Sequence, residues 1–133
     1  MNVKSLQIGD YVNYRGQIIK VTSLYDKGGS NEVGWSDKES VWVNAYNVEP
    51  IPLTTEILEK NGFEKQFGNF IYENDDENLM IEFYPKNINY TNGCYDYIDI
   101  EKGCVTITEM PIEFVHELQH ALRLCGIDKE FEL

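Results

Sequence analysis

The chain has 133 residues, of which 42% are apolar and 13% aromatic, and its formal net charge is −12. This size suits one compact domain or two small modules with a shared core, and the apolar fraction excludes wholesale disorder. No apolar run is long enough to span a membrane, and no signal-peptide pattern precedes Leu6. The sequence therefore predicts a cytoplasmic protein without a membrane segment.

The negative charge is concentrated after residue 50. Residues 1–50 carry five Lys and Arg against six Asp and Glu, a sum of −1, whereas residues 51–133 carry six against seventeen, a sum of −11. Nucleic acids require a basic surface, so we expect no direct nucleic-acid binding by the C-terminal part. An acidic surface suits a basic protein partner, or imitation of a nucleic acid. The alternative is that the charge only keeps a small protein soluble.

Residues 1–52 have the pattern of a small β module. Runs rich in Val, Ile, Tyr and Thr at 11–14 and 17–24 flank Arg15-Gly16, which is typical of a hairpin. A loop is expected at 26–31, short strands at 32–35 and 40–43, and extended backbone around Pro50 and Pro52. Five short strands in about fifty residues predict a small SH3-like β-barrel. The aromatic residues are interpreted as core and half-buried cover rather than a ligand groove: Tyr11, Tyr14, Tyr25, Trp35, Trp42 and Tyr46.

Residues 53–133 are predicted to form an α+β module, which makes the whole chain α+β. A short connecting helix is expected at 53–63, with Thr54 as N-cap and Gly62 just past its end. Strands predicted at 69–73, 79–84, 95–100 and 104–108 form an antiparallel sheet. The acidic segment 74–78 lacks the spacing of a calcium loop and is interpreted as a hairpin tip. A C-terminal helix is predicted from Pro111 in its first turn to Gly126 at its end.

Three cysteines, Cys94, Cys104 and Cys125, are an odd number and lack C-x-x-C spacing. This pattern argues against a disulfide framework and favours reduced thiols that behave as small apolar residues. A Cys/His zinc site that uses Cys125 is an open alternative.

The C-terminal helix contains His116-Glu117-Leu118-Gln119-His120, which matches the H-E-x-x-H signature of zinc metallopeptidases. In that chemistry two histidines at i and i+4 ligate zinc, and the Glu acts on the bound water as general base. The alternative function is therefore a zinc-dependent metallopeptidase or hydrolase, with His116 and His120 as metal ligands, Glu117 as the catalytic residue and zinc as the cofactor.

A third zinc ligand is difficult to assign. The extended metzincin spacing would need Gly and His where the chain has Arg123 and Gly126. Glu130 or Glu132 would have to fold back through a short tail, and an upstream Asp96 or Asp99 would be an unusual order.

Helical periodicity is a second objection to the zinc site. It predicts a core stripe on one side of the helix, formed by Phe114, Val115, Leu118, Ala121, Leu122 and Cys125. His116 and His120 fall on the opposite side, which is expected to face water on a terminal helix. We therefore interpret the match as a coincidence and predict no catalytic residue, no metal and no cofactor.

Four segments, at 6–12, 48–54, 57–63 and 114–119, resemble in this order a family of small uncharacterised proteins of gut-bacterial phages, prophages and mobile elements. The most specific pieces are P-I-P-L-T with the following G-F helix, and the terminal V-H-x-L-Q helix. The family's last helix typically runs V-H-Q-L-Q-N, so Glu117 and His120 stand where that pattern has Gln and Asn. The resemblance implies a helix whose role does not require zinc, and it transfers no catalytic residue.

The function predicted from these observations is a non-enzymatic accessory protein of a phage or mobile element that binds a protein partner. An inhibitor of a host defence nuclease is one specific version of this prediction. A virion or structural component is a further alternative, and the sequence assigns no oligomeric state.

Overall fold

The computed structural model describes residues 1–35, 41–86 and 96–133. They form a mixed α+β chain with several antiparallel sheets and two compact units. Unit 1 contains Met1–Pro52 and Phe114–His120, and unit 2 contains Leu53–Glu113 and Ala121–Leu133. The division of the sequence into domains 1–52 and 53–133 stays a prediction, because the start of the last helix groups with the N-terminal residues.

Unit 1 contains six short strands: β1 (Tyr11–Tyr14), β2 (Gln17–Lys20), β3 (Ser23–Lys27), β4 (Ser30–Gly34), β5 (Trp42–Asn44) and β6 (Glu49–Pro50). They form two three-stranded antiparallel sheets, of order β2-β1-β6 and β3-β4-β5. Single 3₁₀ turns lie at Val3–Ser5 and Ala45–Asn47. The strands of the described residues do not close into a barrel. The prediction that this part of the chain is rich in β-strands is confirmed, whereas the SH3-like barrel stays a prediction.

The hairpin predicted near the N-terminus is present as β1 and β2, but the run 17–24 is divided between two sheets. Val21 N donates to Asp10 O (2.8 Å), whereas Thr22 N donates to Gly34 O (2.8 Å), so the chain changes sheets between these residues. The loop expected at 26–31 is reduced to the turn Gly28-Gly29, both with positive φ. Residue 40 of the predicted strand 40–43 lies outside the described residues.

The core of unit 1 consists of aliphatic residues: Val3, Leu6, Val12, Ile19, Val21, Val33, Ala45 and Val48. Tyr14 and Trp35 pack against it with ring centroids 5.2 Å apart, as expected for half-buried cover. The same expectation is wrong for Tyr25, Trp42 and Tyr46, which are exposed. Tyr25 and Trp42 lie on the outer face of their sheet, where no described layer covers them.

Unit 2 is a five-stranded antiparallel meander with helices. Its elements are α1 (Thr55–Lys60), β7 (Glu64–Gln66), β8 (Asn69–Asn74), β9 (Leu79–Tyr84), β10 (Tyr97–Lys102) and β11 (Val105–Pro111), and the sheet order is β11-β10-β9-β8-β7. Residues 75–78 form the tip of the β8–β9 hairpin, as predicted. One sheet face supplies the core of the unit with Phe70, Leu79, Ile81, Phe83, Ile98 and Ile100. Residue 95 of the predicted strand 95–100 lies outside the described residues.

The helix α1 begins and ends where the sequence predicts. Thr54 Oγ1 accepts a hydrogen bond from Ile57 N (3.3 Å), which satisfies one free donor of the first turn. At the other end Gly62 has φ 87, and Phe63 N donates to Leu58 O (3.1 Å). This Schellman arrangement needs a left-handed residue, which glycine adopts without strain.

The last helix, α2, spans Val115–Leu124, so the expectation that Pro111 lies in its first turn is wrong. Pro111 is the last residue of β11, and Ile112 N still donates to Asp96 O (3.0 Å) before the helix begins. The predicted end is confirmed, because Gly126 has φ 76 and Ile127 N donates to Leu122 O (2.9 Å).

Two of the three cysteines belong to the described residues. Cys104 is exposed and Cys125 is half-buried, and both are free thiols. Burial raises the pKa of the Cys125 thiol, which favours the unreactive protonated form.

No helix among the described residues is long and apolar enough to cross a membrane.

Candidate functional site

The helix α2 is buried on more than one side. The predicted core positions Val115, Leu118, Ala121 and Leu122 are buried, and Phe114 and Cys125 are half-buried. His116 and Gln119, however, are each only 5% exposed. The prediction that the polar side of this helix faces water is therefore wrong. Within unit 1 that side makes hydrogen bonds to residues just before and at the start of β1.

Glu117, the catalytic residue of the zinc hypothesis, caps the helix. Its Oε2 accepts a hydrogen bond from Phe114 N at 3.1 Å. Phe114 directly precedes the first helical residue, so Glu117 occupies the third helical position and reaches back to the N-cap amide. This contact is one half of a capping box. It satisfies an amide that has no partner within the helix.

Gln119 joins the helix to the backbone that leads into β1. Its Oε1 accepts from Tyr11 N at 3.0 Å, and its Nε2 donates to Gly9 O at 3.0 Å. One buried amide side chain therefore satisfies a donor and an acceptor of the main chain. A side chain without this pair of groups would leave two buried backbone groups unsatisfied.

His120 contacts a carboxylate that the sequence analysis did not select. Its Nε2 lies 2.7 Å from Oδ2 of Asp10, and the Asp10 side chain is fully buried. Asp10 Oδ2 also accepts from Gln7 N at 2.7 Å. An ionised carboxylate only accepts hydrogen bonds, so this contact with an ionised Asp10 requires the His120 tautomer that donates from Nε2. That nitrogen is consequently occupied.

His116 is the second histidine of the motif and is held by ring contacts. It stacks on Phe114 with ring centroids 5.9 Å apart and meets the His120 ring edge-on at 5.6 Å. Burial lowers the pKa of His116, although the charges of Asp10 and Glu117 act in the opposite direction. Its Nδ1 is buried and has no hydrogen-bond partner among the described residues. His116 is therefore favoured as a neutral, packed ring.

A zinc site on this helix would need a ligand beyond the two histidines. Zinc in a hydrolase needs three protein ligands and an open position. Among the described residues no group of three or more His, Cys, Asp or Glu side chains could hold a metal ion. Asp96, considered as a third ligand, instead accepts from Lys86 N at 2.9 Å. Asp99 lies in the middle of β10.

The signal that pairs Asp10 with His120 is absent from local sequence patterns, because 110 positions separate the two residues. Both residues lie in or directly beside segments of the resemblance, at 6–12 and 114–119. Nothing in these two segments indicates that they contact each other. The structure brings them together within unit 1.

A second candidate region is the outer face of the sheet in unit 2. Strand pairing sets Asp99 directly beside Glu82 on β9 and Glu109 on β11. Together with other acids at strand positions on the same side, these residues form what we call the acidic face: Glu64, Glu73, Glu82, Asp99, Glu101 and Glu109. No Lys or Arg occupies a position on this side in the described strands.

Like charges dominate the electrostatics of the acidic face, although Asn69 Nδ2 donates a hydrogen bond to Glu82 Oε1 at 2.9 Å. Burial raises the pKa of Asp99, and the charges of Glu101, Glu109 and Glu82 raise it further. Burial and a hydrogen bond to Glu82 likewise raise the pKa of the Tyr84 hydroxyl. Asp99 Oδ1 is shielded from solvent and has no hydrogen-bond partner among the described residues. The fold therefore tolerates a carboxylate row that is unfavourable to its own stability.

An open depression of about 220 Å³ lies beside the turn that joins β8 to β9. Glu73, Asp75 and Glu101 line it, together with Met80 and the backbone of Gly103. It continues the acidic face toward the hairpin tip.

Comparison with protein-family models, with curated proteins and with solved structures finds none that matches this chain.

Proposed function

We propose that this protein is a non-enzymatic binding module that takes a basic protein partner on the acidic face of unit 2. The observation that carries the proposal is the row Glu82–Asp99–Glu109 across three neighbouring strands. Directly opposed like charges destabilise a sheet, by roughly 0.2–1 kcal/mol for each pair. A local cost of this kind is expected at functional sites, where a ligand of opposite charge relieves it.

The contacts of the H-E-x-x-H helix support a binding protein over a hydrolase. Glu117 caps the helix, Gln119 holds the strand that follows Gly9, and His120 bonds to Asp10. Each of these side chains has a structural partner within unit 1, and none is left to act on a substrate.

We further propose that unit 1 is an SH3-like module that has lost strict closure. Three features support this reading: two three-stranded sheets, pairing of the last strand β6 with the first strand β1, and a 3₁₀ turn just before β6. In this proposal the chain is a cytoplasmic accessory protein of a phage or mobile element. An inhibitor of a basic, nucleic-acid-processing host protein is its most specific form, because an acidic surface competes with nucleic acid for such a protein.

Titration with poly-lysine tests the acidic face directly, with poly-glutamate as the probe of opposite charge. We expect poly-lysine to bind, and to bind more weakly as salt rises because surface charges are screened. Replacing three acids of the face (Glu82→Gln, Glu101→Gln and Glu109→Gln) is expected to weaken binding about tenfold or more.

The matched control is a second triple variant with the same charge change at exposed positions elsewhere in unit 2: Glu59→Gln, Asp128→Asn and Glu132→Gln. It is expected to bind like the unaltered protein. Equal weakening by both triple variants would reduce the effect to net charge and contradict the proposal.

The alternative function, a zinc-dependent hydrolase, is tested by metal analysis of the purified protein after dialysis. The binding-module proposal expects much less than one zinc per chain, with no change for His120→Asn. One tightly held zinc that both His116→Asn and His120→Asn remove, together with peptidase activity that Glu117→Gln abolishes, would replace it.

A further inference from the structure

The two edges of the sheet in unit 2 differ in how open they are to another strand. β7 is three residues long and carries Glu64 and Lys65, and short charged edges resist pairing. β11 is seven residues long and ends the sheet order on the other side. No strand of the described residues pairs with its outer edge.

The side chains of β11 are unusually apolar for an exposed edge. Val105 is 64% exposed and Ile107 is 47% exposed, and neither is covered by another described element. Exposed β-branched residues on an edge strand favour the addition of a further strand. A bulge opposite Ile100 and Glu101 twists the strand locally, which limits a docked strand to a short segment.

The two sides of the β11 edge favour different side chains in an added strand. Glu109 and Thr106 point to the same side as Asp99 and Glu101, which is the acidic face. Val105 lies on the opposite side, in the register of the core face. Successive residues of a strand point to opposite sides. A docked strand would therefore place the residues of one side beside Glu109 and Thr106, and those of the other side beside Val105 and Thr108.

We propose that β11 accepts, as an added strand, a short extended segment of a basic protein in which Lys or Arg alternates with β-branched apolar residues. The inference rests on the proposed function, since it names the partner's chemistry and the edge that the partner occupies. Main-chain hydrogen bonds along β11 supply affinity, and the acidic face selects the cationic residues. A Lys or Arg side chain on the added strand would lie one strand spacing, about 4.8 Å, from the strand that carries Glu109.

A second copy of this chain is a poorer occupant of the same edge. Pairing β11 with β11 would bring together two acidic faces, each on a chain of net charge −12. Like-charge juxtaposition across an interface costs several kcal/mol. Charge complementarity therefore favours a basic partner.

Three peptide probes of equal composition and about the length of β11 test the inference. One alternates Lys and Val, one has the same residues in two blocks, and one alternates but carries N-methyl groups on its central backbone nitrogens. If the peptide binds as an added strand, we expect the alternating peptide to bind at least about tenfold more tightly than the other two. The N-methylated peptide lacks backbone hydrogen-bond donors, and the block peptide directs its Lys side chains to both sides of the strand.

Hydrogen exchange locates the bound peptide. Amides of β11 are expected to exchange more slowly with the alternating peptide present, whereas those of β7 are expected to stay unchanged. Equal binding of all three peptides with unchanged exchange in β11 would overturn strand addition and leave the acidic-face proposal standing. Failure of poly-lysine and of all three peptides would overturn both. Slow exchange in β11 without peptide, with dimers in solution, would replace the partner by a second copy.

A pair of variants provides the protein-side control. Ile107 and Ile18 are both 47% exposed and lie on strands of different units. Ile107→Lys places a positive charge on the proposed docking edge and is expected to weaken the alternating peptide about fivefold or more. Ile18→Lys makes the same change in charge and is expected to leave binding unaltered. Equal effects of the two substitutions would count against the edge.

Discussion

Nε2 of His120 lies 2.7 Å from Oδ2 of Asp10, a residue whose side chain is fully buried and that precedes it by 110 positions. This contact joins the chain just before β1 to the helix α2 within unit 1. It engages Nε2 of His120, one of the two ring nitrogens through which a histidine can ligate zinc. His120 of the H-E-x-x-H match thereby has a structural role.

Removing the carboxylate of Asp10 is expected to destabilise the protein. Asp10→Ala leaves His120 and the amide of Gln7 without their shared acceptor in a buried place. Loss of one partner from such a group costs about 2 kcal/mol or more. Urea denaturation measures the free energy of unfolding, with the exposed Asp128→Ala as control. A change within about 0.5 kcal/mol, as for the control, would contradict a structural role.

Glu117 is expected to behave as a cap. Glu117→Gln keeps an oxygen that can accept from Phe114 N and is expected to retain the stability of the protein. Glu117→Ala removes that acceptor and is expected to cost about 0.5–1 kcal/mol. Thermal unfolding followed by circular dichroism compares the two variants. Equal loss in both would show that charge, rather than the capping hydrogen bond, is what matters.

His116 is expected to make the protein less stable in mild acid. Burial holds the pKa of its ring below the ordinary value of 6.5, so the unfolded chain binds a proton more readily than the folded protein. The stability that a neutral His116 contributes is therefore fully present above 6.5 and is lost as the pH falls through the folded pKa. Free energies of unfolding between about pH 7.5 and 5.5 measure the effect. His116→Gln is expected to show a shallower dependence, and an identical slope would refute this assignment.

The charge of Asp99 is expected to lower the stability of the folded protein and to strengthen its binding of a cationic partner. Burial and the neighbouring carboxylates raise its pKa, so at neutral pH the folded protein carries an ionised group that it disfavours. The protonated form of Asp99 favours folding. Its contribution to stability is fully present below the unfolded pKa of Asp99 and is lost as the pH rises through the folded pKa. At pH 7 Asp99→Asn is expected to stabilise the protein by roughly 0.5 kcal/mol and to weaken poly-lysine binding. Asp128→Asn, on an exposed position, should change neither quantity.

Local signals in the sequence were sufficient for much of the fold. Thr54, Gly62 and Gly126 act through residues within one helical turn, and the structure confirms each of them as a cap or end signal. The strand β9 lies at the predicted residues 79–84 and alternates buried and half-buried residues. The expectation for Pro111 was wrong because a proline suits both the start of a helix and the end of an edge strand.

The candidate sites depend on relationships that local patterns do not contain. The period of α2 predicts one buried stripe, but a second element packs against its polar side, and only tertiary structure supplies that element. Likewise, the charge of residues 51–133 predicts an acidic surface without saying which acids share a face. The register of β10 between its two neighbours assembles Glu82, Asp99 and Glu109 into one row.

The most direct test of the acidic face is an amide chemical-shift map of the protein titrated with poly-lysine. We expect the largest shifts on β9, β10 and β11, at Glu82, Asp99, Glu101 and Glu109, and small shifts throughout residues 1–52. Shifts of this kind should disappear in the triple variant of the face and persist in the matched control. Shifts concentrated in residues 1–52, or spread evenly over all exposed acids, would contradict the account.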